Sequence, residues 1–338
     1  MTRAGRRAKP TTRVDVVRVE NGQARPARDV VAGEEPMEIR IVAGGRRASV
    51  AVTMRTPGHD FELAAGFLFA EGVVTGRDQI AQVRYCADAP ERQRYNVVNV
   101  HLRSGALPDV ARLERHFVIS SACGVCGKAH LDALAARCDP PLAPASAATS
   151  GPRLSIETVA SLPGTLRSAQ TLFDATGGLH AAGLFTADGE LVAVREDVGR
   201  HNALDKLIGW TVLEGVPREK LVLCVSGRAS YELLQKTAAA GVRVFAAVSA
   251  PSSLAIEVAR RFGVTLIGFV RPGRCNVYAG EERLAGLDGY ARSVAASGVG
   301  HGAANGSTSA RAPGSSVGPG GTTTRASALA SASMRDDP

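Results

Sequence analysis

Hydrophobic and polar positions alternate with a period of two through "MEIRIVAGGRRASVAVTM", residues 37–54. Two such runs joined by Gly44-Gly45 predict a β-hairpin. "DFELAAGFLFAEG" follows, with Leu63, Phe67 and Ala70 at helical spacing, Asp60 as N-cap and Gly72 past the end. "QVRYC" and "NVVNVHL" read as further strands. In the second half, "GLHAAGLF" and "ELVAVRE" flank the turn "TADG", a second hairpin. "NALDKLIGWTVLEG" puts Leu204, Leu207, Ile208 and Thr211 on one helical face, and Gly215 and Pro217 end it. A strand ("KLVLCVS"), a helix from near Ser230 to Gly241, a strand ("VRVFAAVS"), a helix ("SSLAIEVARRFG") and a strand ("VTLIGFV") complete the order. This β-α-β-α-β alternation implies parallel strands with right-handed crossovers.

The pattern divides the 338 residues into a small α+β domain over 29–115 and a larger α/β domain over 152–290. Between them, 116–151 carries two close cysteines and then "CDPPLAPASAATSGP", which reads as a long mobile loop. Residues 291–338 are Gly/Ser/Ala/Thr/Pro-rich without periodicity and read as a disordered tail.

Charge alters the picture little. The chain carries a net +8, but residues 1–28 hold eight Lys/Arg against two Asp/Glu. They read as a disordered basic arm. The body is nearly neutral and has no aromatic-rich basic motif, so no nucleic-acid partner is expected. No apolar run reaches about 18 residues, so no membrane span is expected. The N-terminus lacks an apolar export segment, which points to the cytoplasm.

Ligands of such sheets bind outside the carboxyl ends of the strands. Four loops there hold "EDVGRHN" (196–202), "SGRAS" (226–230), "SAPSS" (249–253) and "RPGR" (271–274). Three of them open a helix, whose free N–H groups attract anions. Arg200, Arg228, Arg271 and Arg274 add phosphate-binding forks. Ser, Asn and Gly are also ordinary cap and turn residues, but their recurrence at four strand ends favours a phosphorylated or nucleotide-like ligand. Neither a P-loop nor a dinucleotide fingerprint is present. His201 stands at a helix start, where structural and catalytic roles are equally open. His180, in a hairpin strand, reads as structural.

"SSACGVCGK", residues 120–128, places Cys123 and Cys126 in a CxxC pair. A structural zinc needs four ligands, and Cys86, Cys138, Cys224 and Cys275 are scattered singly, so no zinc is expected. A thioredoxin-type dithiol sits between a strand and a helix start. This pair is embedded in glycine and followed by a Pro/Ala-rich loop, which suits a thiol that travels. The pair alone does not separate redox exchange from sulfur carriage, since both use thiolate attack on sulfur.

Taken together, "TPGHDFELAAGFLFAEGVV", "SSACGVCGK", "GGLHAAGLF", "REDVGRHNALDKLIG", "SGRASYELLQK" and "VSAPSSLAIEVARRFGVTLIGFVRPGRCNVY" resemble the FdhD family of formate dehydrogenase accessory sulfur carriers. The blocks span about residues 37 to 285. The resemblance implies a sulfurtransferase with a cysteine persulfide intermediate on Cys123, with Cys126 as its partner. A cysteine desulfurase would load the sulfur. The acceptor would be the molybdenum of a bis-molybdopterin guanine dinucleotide cofactor, before its insertion into formate dehydrogenase. Phe269, Val270, Arg271, Pro272, Gly273 and Arg274 match the family's cofactor-binding segment. With the strand-end reading, this gives a cofactor site that adds Arg200, His201, Asn202, Ser226, Arg228 and Ser249. A homodimer is also implied.

The family's second domain resembles the cytidine-deaminase fold. The expected class is therefore α/β: a three-layer, cytidine-deaminase-like domain with a mixed sheet, plus the smaller N-terminal α+β domain. Deaminases need H-x-E and P-C-x-x-C for zinc; the matching places here read "HNA" and "SGRAS". A dithiol oxidoreductase and a non-catalytic cofactor chaperone remain the alternatives.

Overall fold

A computed structural model describes residues 9–90, 93–108 and 151–287. The chain opens with β1 (Thr11–Glu20) and β2 (Gln23–Ala32), an antiparallel ribbon. The strand content of 11–28 corrects the expectation of a disordered arm. Asn21 and Gly22 supply the two positive-φ residues of a tight hairpin turn. Asp15 stands opposite Arg28, and Glu20 meets Arg25 at 2.6 Å.

β3 (Glu35–Ala43), β4 (Arg46–Arg55), β5 (Ile80–Tyr85) and β6 (Val97–Leu102) form a sheet of order β4-β3-β6-β5. Helix α1 (Asp60–Ala70) buries Leu63, Ala64 and Leu68 beneath it. Asp60 is not the N-cap, as expected from the pattern, but lies one residue inside the helix. Its carboxylate is buried and accepts from Arg55 at 3.0 Å and from the Tyr85 hydroxyl.

The second sheet has order β12-β11-β10-β9-β7-β8. Its strands are β7 (His180–Phe185), β8 (Leu191–Asp197), β9 (Val222–Val225), β10 (Val244–Ala247), β11 (Thr265–Arg271) and β12 (Arg274–Ala279). β9, β10 and β11 run parallel, while β7 and β12 run antiparallel to their neighbours. Helix α2 (Ile156–Ser168) places Val159, Leu162 and Leu166 in a cluster with Phe185, Val222, Val244 and Ile267. Short α3 (Thr171–Thr176) follows it. Helices α4 (Arg200–Glu214), α5 (Tyr231–Ala239) and α6 (Ser253–Arg261) bury their apolar residues in a second cluster. Alternate residues of β9 divide between the two clusters, Leu223 with one and Val222 with the other. The six-stranded sheet therefore carries helices on both faces.

A close helix crossing helps to join the halves. α1 and α4 cross where Gly66 meets Gly209. A Cβ on Gly66 would lie 1.8 Å from the Asp205 carbonyl oxygen, and one on Gly209 1.8 Å from that of Glu62. Only glycine permits this approach. Residues of both sheets share the resulting core. No helix among the described residues is long and apolar enough to cross a membrane.

Candidate functional site

The topology sets the carboxyl ends of β8, β9, β10 and β11 on one edge, with the start of β7 among them. The four loops expected to converge do so. Ser249 N–H donates to the Gly227 carbonyl at 3.2 Å, and Ala229 N–H to that of Ala250 at 3.1 Å. Phe269 N–H donates to the Ser249 carbonyl at 3.2 Å. Helices α4, α5 and α6 all begin at this edge.

The α4 loop is anchored from below. Asp197, fully buried, accepts from Lys206 Nζ at 2.7 Å, from Thr56 N–H at 3.0 Å and from Gly199 N–H at 2.8 Å. Burial pushes the Lys206 ammonium down, against the attraction of Asp197. Asn202 donates to Asp197 and to the Met54 carbonyl and accepts from the Thr53 hydroxyl. Its amide is engaged inside the protein, which makes Asn202 a strut rather than a ligand contact. Val270 is likewise fully buried in the core. The remaining strand-end residues border solvent.

Among the described residues, Arg200, Arg228, Arg271 and Arg274 have no ion-pair partner, and buried Arg200 Nε has no hydrogen-bond partner. Four uncompensated guanidiniums beside three helix starts make the edge attractive to anions. His201 Nε2 lies 3.4 Å from Ser230 Oγ and 3.8 Å from Glu232. The imidazole holds the Glu232 carboxyl down to about 2. Phe269 is 41% exposed at φ 51°, beside a register shift between Gly268 and Arg271. A bulky residue held in the left-handed region costs about 1–3 kcal/mol, and such strain clusters at ligand clamps and active sites. The turn Arg271-Pro272-Gly273-Arg274 carries two of the guanidiniums outward. Arg271 Nη1 donates to the Val248 carbonyl at 2.6 Å.

Beside this turn lies a cavity of about 610 Å³. Ser226, Arg271 and Pro272 line it, as expected residues. Gln170, Phe173 and His180 line it too, and these the sequence reading missed or assigned to structure. His180 begins β7, antiparallel to β9, and the hairpin pattern alone did not reveal which end reached the edge. Burial and then the nearby Arg200 charge lower its pKa, which favours the neutral imidazole. Ser226 Oγ accepts from Ala181 N–H at 2.9 Å, which leaves its hydroxyl proton available as a donor. Cys123 and Cys126 lie outside the described residues.

The fold and edge define an α/β protein with an arginine-bordered cleft at its strand ends. The FdhD/NarQ family model matches residues 32–285, and the chain belongs to that family. The Sulfur carrier protein FdhD of Streptomyces avermitilis is 50% identical over 285 residues, covering 81% of this chain and 96% of that one. That of Mycolicibacterium paratuberculosis is 48% identical over 279 residues, covering 81% and 98%. A crystal structure assigned as a formate dehydrogenase accessory protein of Desulfotalea psychrophila shares the fold. Its TM-score is 0.60 at 23% identity, over 81% of this chain and 99% of that one.

Proposed function

We propose that this protein is a sulfur carrier that serves formate dehydrogenase. The observation that carries the reading is the 50% identity, over 81% of the chain, with a protein named Sulfur carrier protein FdhD. The CxxC pair and the cationic edge agree with it. In this reading the Cys123 thiolate attacks the terminal sulfur of a persulfide on a cysteine desulfurase. A new S–S bond forms on Cys123, the old one breaks, and the donor cysteine leaves as thiolate. The protein is then a sulfurtransferase with a persulfide intermediate.

The acceptor is the molybdenum of a bis-molybdopterin guanine dinucleotide cofactor, held as cargo before it enters formate dehydrogenase. Arg271 and Arg274 lie exposed at the β11–β12 turn, where they can meet its phosphates. Ser226, Ser249 and the α4, α5 and α6 starts offer further donors. The family resemblance also motivates a cytidine-deaminase-like second domain over 152–290, a homodimer and a cytoplasmic setting.

The test is complementation. In a host lacking its own copy, Cys123→Ser abolishes formate dehydrogenase activity, and Arg274→Ala weakens guanosine diphosphate binding to the purified protein. Activity retained by Cys123→Ser would favour a chaperone that shields the cofactor without carrying sulfur. A Cys123–Cys126 disulfide that cycles during turnover would favour a dithiol oxidoreductase.

A further inference from the structure

A second cavity lies at the far end of α4 from the strand-end edge. Its volume is about 490 Å³, and Phe61, Glu62, Tyr85, Trp210, Leu213 and Glu214 line it. Helix α4 runs 15 residues from Arg200 to Glu214. At 1.5 Å per residue its end stands about 21 Å from the edge. A ligand held there leaves the cofactor cleft open.

The wall of this cavity is aromatic. The Phe61 and Tyr85 rings stand 4.8 Å apart and are inclined at 52°. Trp210 adds an indole, and all three side chains keep part of their surface exposed. The corner is held in place. The Tyr85 hydroxyl donates to buried Asp60 at 3.0 Å. Glu62 accepts from Arg195 at 2.8 Å, and Arg195 in turn lies over the Trp210 ring at 5.7 Å.

The charges around the cavity do not cancel. Asp60 is paired with Arg55, and Glu62 with Arg195 and His59 Nδ1. Glu214 is the exception. It is exposed and makes no ion pair among the described residues. It is also the last residue of α4, where the terminal carbonyls already carry partial negative charge, and the last turn holds no basic residue. A carboxylate at that end of a helix is disfavoured until a cation meets it.

We propose that this cavity binds a cationic side chain, arginine foremost. Its guanidinium meets Glu214 while its plane packs on the Phe61–Tyr85 corner and its stem on Leu213. A guanidinium can stack on an aromatic face and pair with a carboxylate at once. Glu214 repels an anion, and an apolar ligand would leave its charge unanswered. Two sources present such a side chain. Residues 1–8 of this chain hold Arg3, Arg6 and Arg7, and a basic segment of a partner protein is the other.

The chain has one tryptophan, so the intrinsic emission of the full-length protein reports on Trp210 alone. The probes are N-acetyl-arginine amide and N-acetyl-citrulline amide, which has the same shape without the charge. The arginine probe is expected to change the emission saturably, with a dissociation constant of about 1–10 mM. The citrulline probe should bind at least about threefold more weakly. Glu214→Gln and Phe61→Leu should each weaken the arginine probe about threefold, and Glu214→Gln should leave the citrulline probe unchanged. Replacing Arg3, Arg6 and Arg7 together by serine separates the sources. Tighter probe binding in that variant assigns the cation to this chain, and unchanged affinity assigns it to a partner protein; either result upholds the site. No saturable change in both the wild type and the triple variant would overturn the proposal. Equal affinity for the two probes, or unaltered arginine-probe affinity in folded Glu214→Gln and Phe61→Leu, would overturn it as well.

Discussion

Lys206 and Asp197 are both buried and face one another at 2.7 Å beneath the α4 loop. Removing one member of a buried pair strands the other charge, at a cost of about 3–5 kcal/mol. Lys206→Met is therefore expected to lower unfolding free energy by about that amount in urea titration. A loss below about 1 kcal/mol would show that Asp197 is satisfied by its backbone donors alone. Glu232 sits differently, half in solvent at the edge, and its carboxyl is depressed to about 2 by His201. A depressed carboxyl contributes stability above its unfolded value and loses it as pH falls through the folded one. The advantage of wild type over Glu232→Gln should then be full above about pH 4.5 and fade toward pH 2, as melting temperatures across that range would show. An advantage independent of pH would place its origin outside that ion pair. His201 was read from sequence as equally open between roles, and its contact with Glu232 explains why. The partner lies in another helix, 31 residues on, and no local pattern announces it.

Helices and strands were the most legible level. The patterns of α4, α5, α6 and of β9, β10 and β11 were read nearly to their observed bounds, because apolar periodicity and Gly or Ser punctuation agree there. The ribbon β1–β2 is poorly legible because eight basic residues over 1–28 give the segment the composition of a solvated arm, and only the Asn21-Gly22 turn signals a hairpin. The α1–α4 crossing was also invisible. A glycine within a helical pattern signals only a weak helix position until its neighbour is known. Gly66→Ala is expected to cost about 2–3 kcal/mol or more, read as a lowered melting temperature, since the added methyl meets backbone rather than a movable side chain. A neutral substitution would mean that α1 can slide on α4 without loss.

Across the whole molecule, the strand-end edge was legible from topology, because parallel strands oblige their following loops to meet. The cavity beside it was not. Gln170 and Phe173 reach it from α3, a six-residue helix whose pattern is too short to read. Asn202 and Val270 were drawn into the expected site by position in the chain, and burial assigns both to the scaffold. The scaffold also draws on the N-terminal half. Thr56 N–H and the Met54 carbonyl hold Asp197 and Asn202, so the N-terminal half fixes the loop that opens α4. The central claim concerns the cysteine pair, for which the edge is the proposed destination. The most direct measurement incubates the purified protein with a cysteine desulfurase and free cysteine, then takes intact mass and maps the modified peptide. The account predicts a gain of one sulfur atom on Cys123, reversed by reductant and absent in Cys123→Ser. No gain on that cysteine, under conditions where the desulfurase turns over, would contradict it.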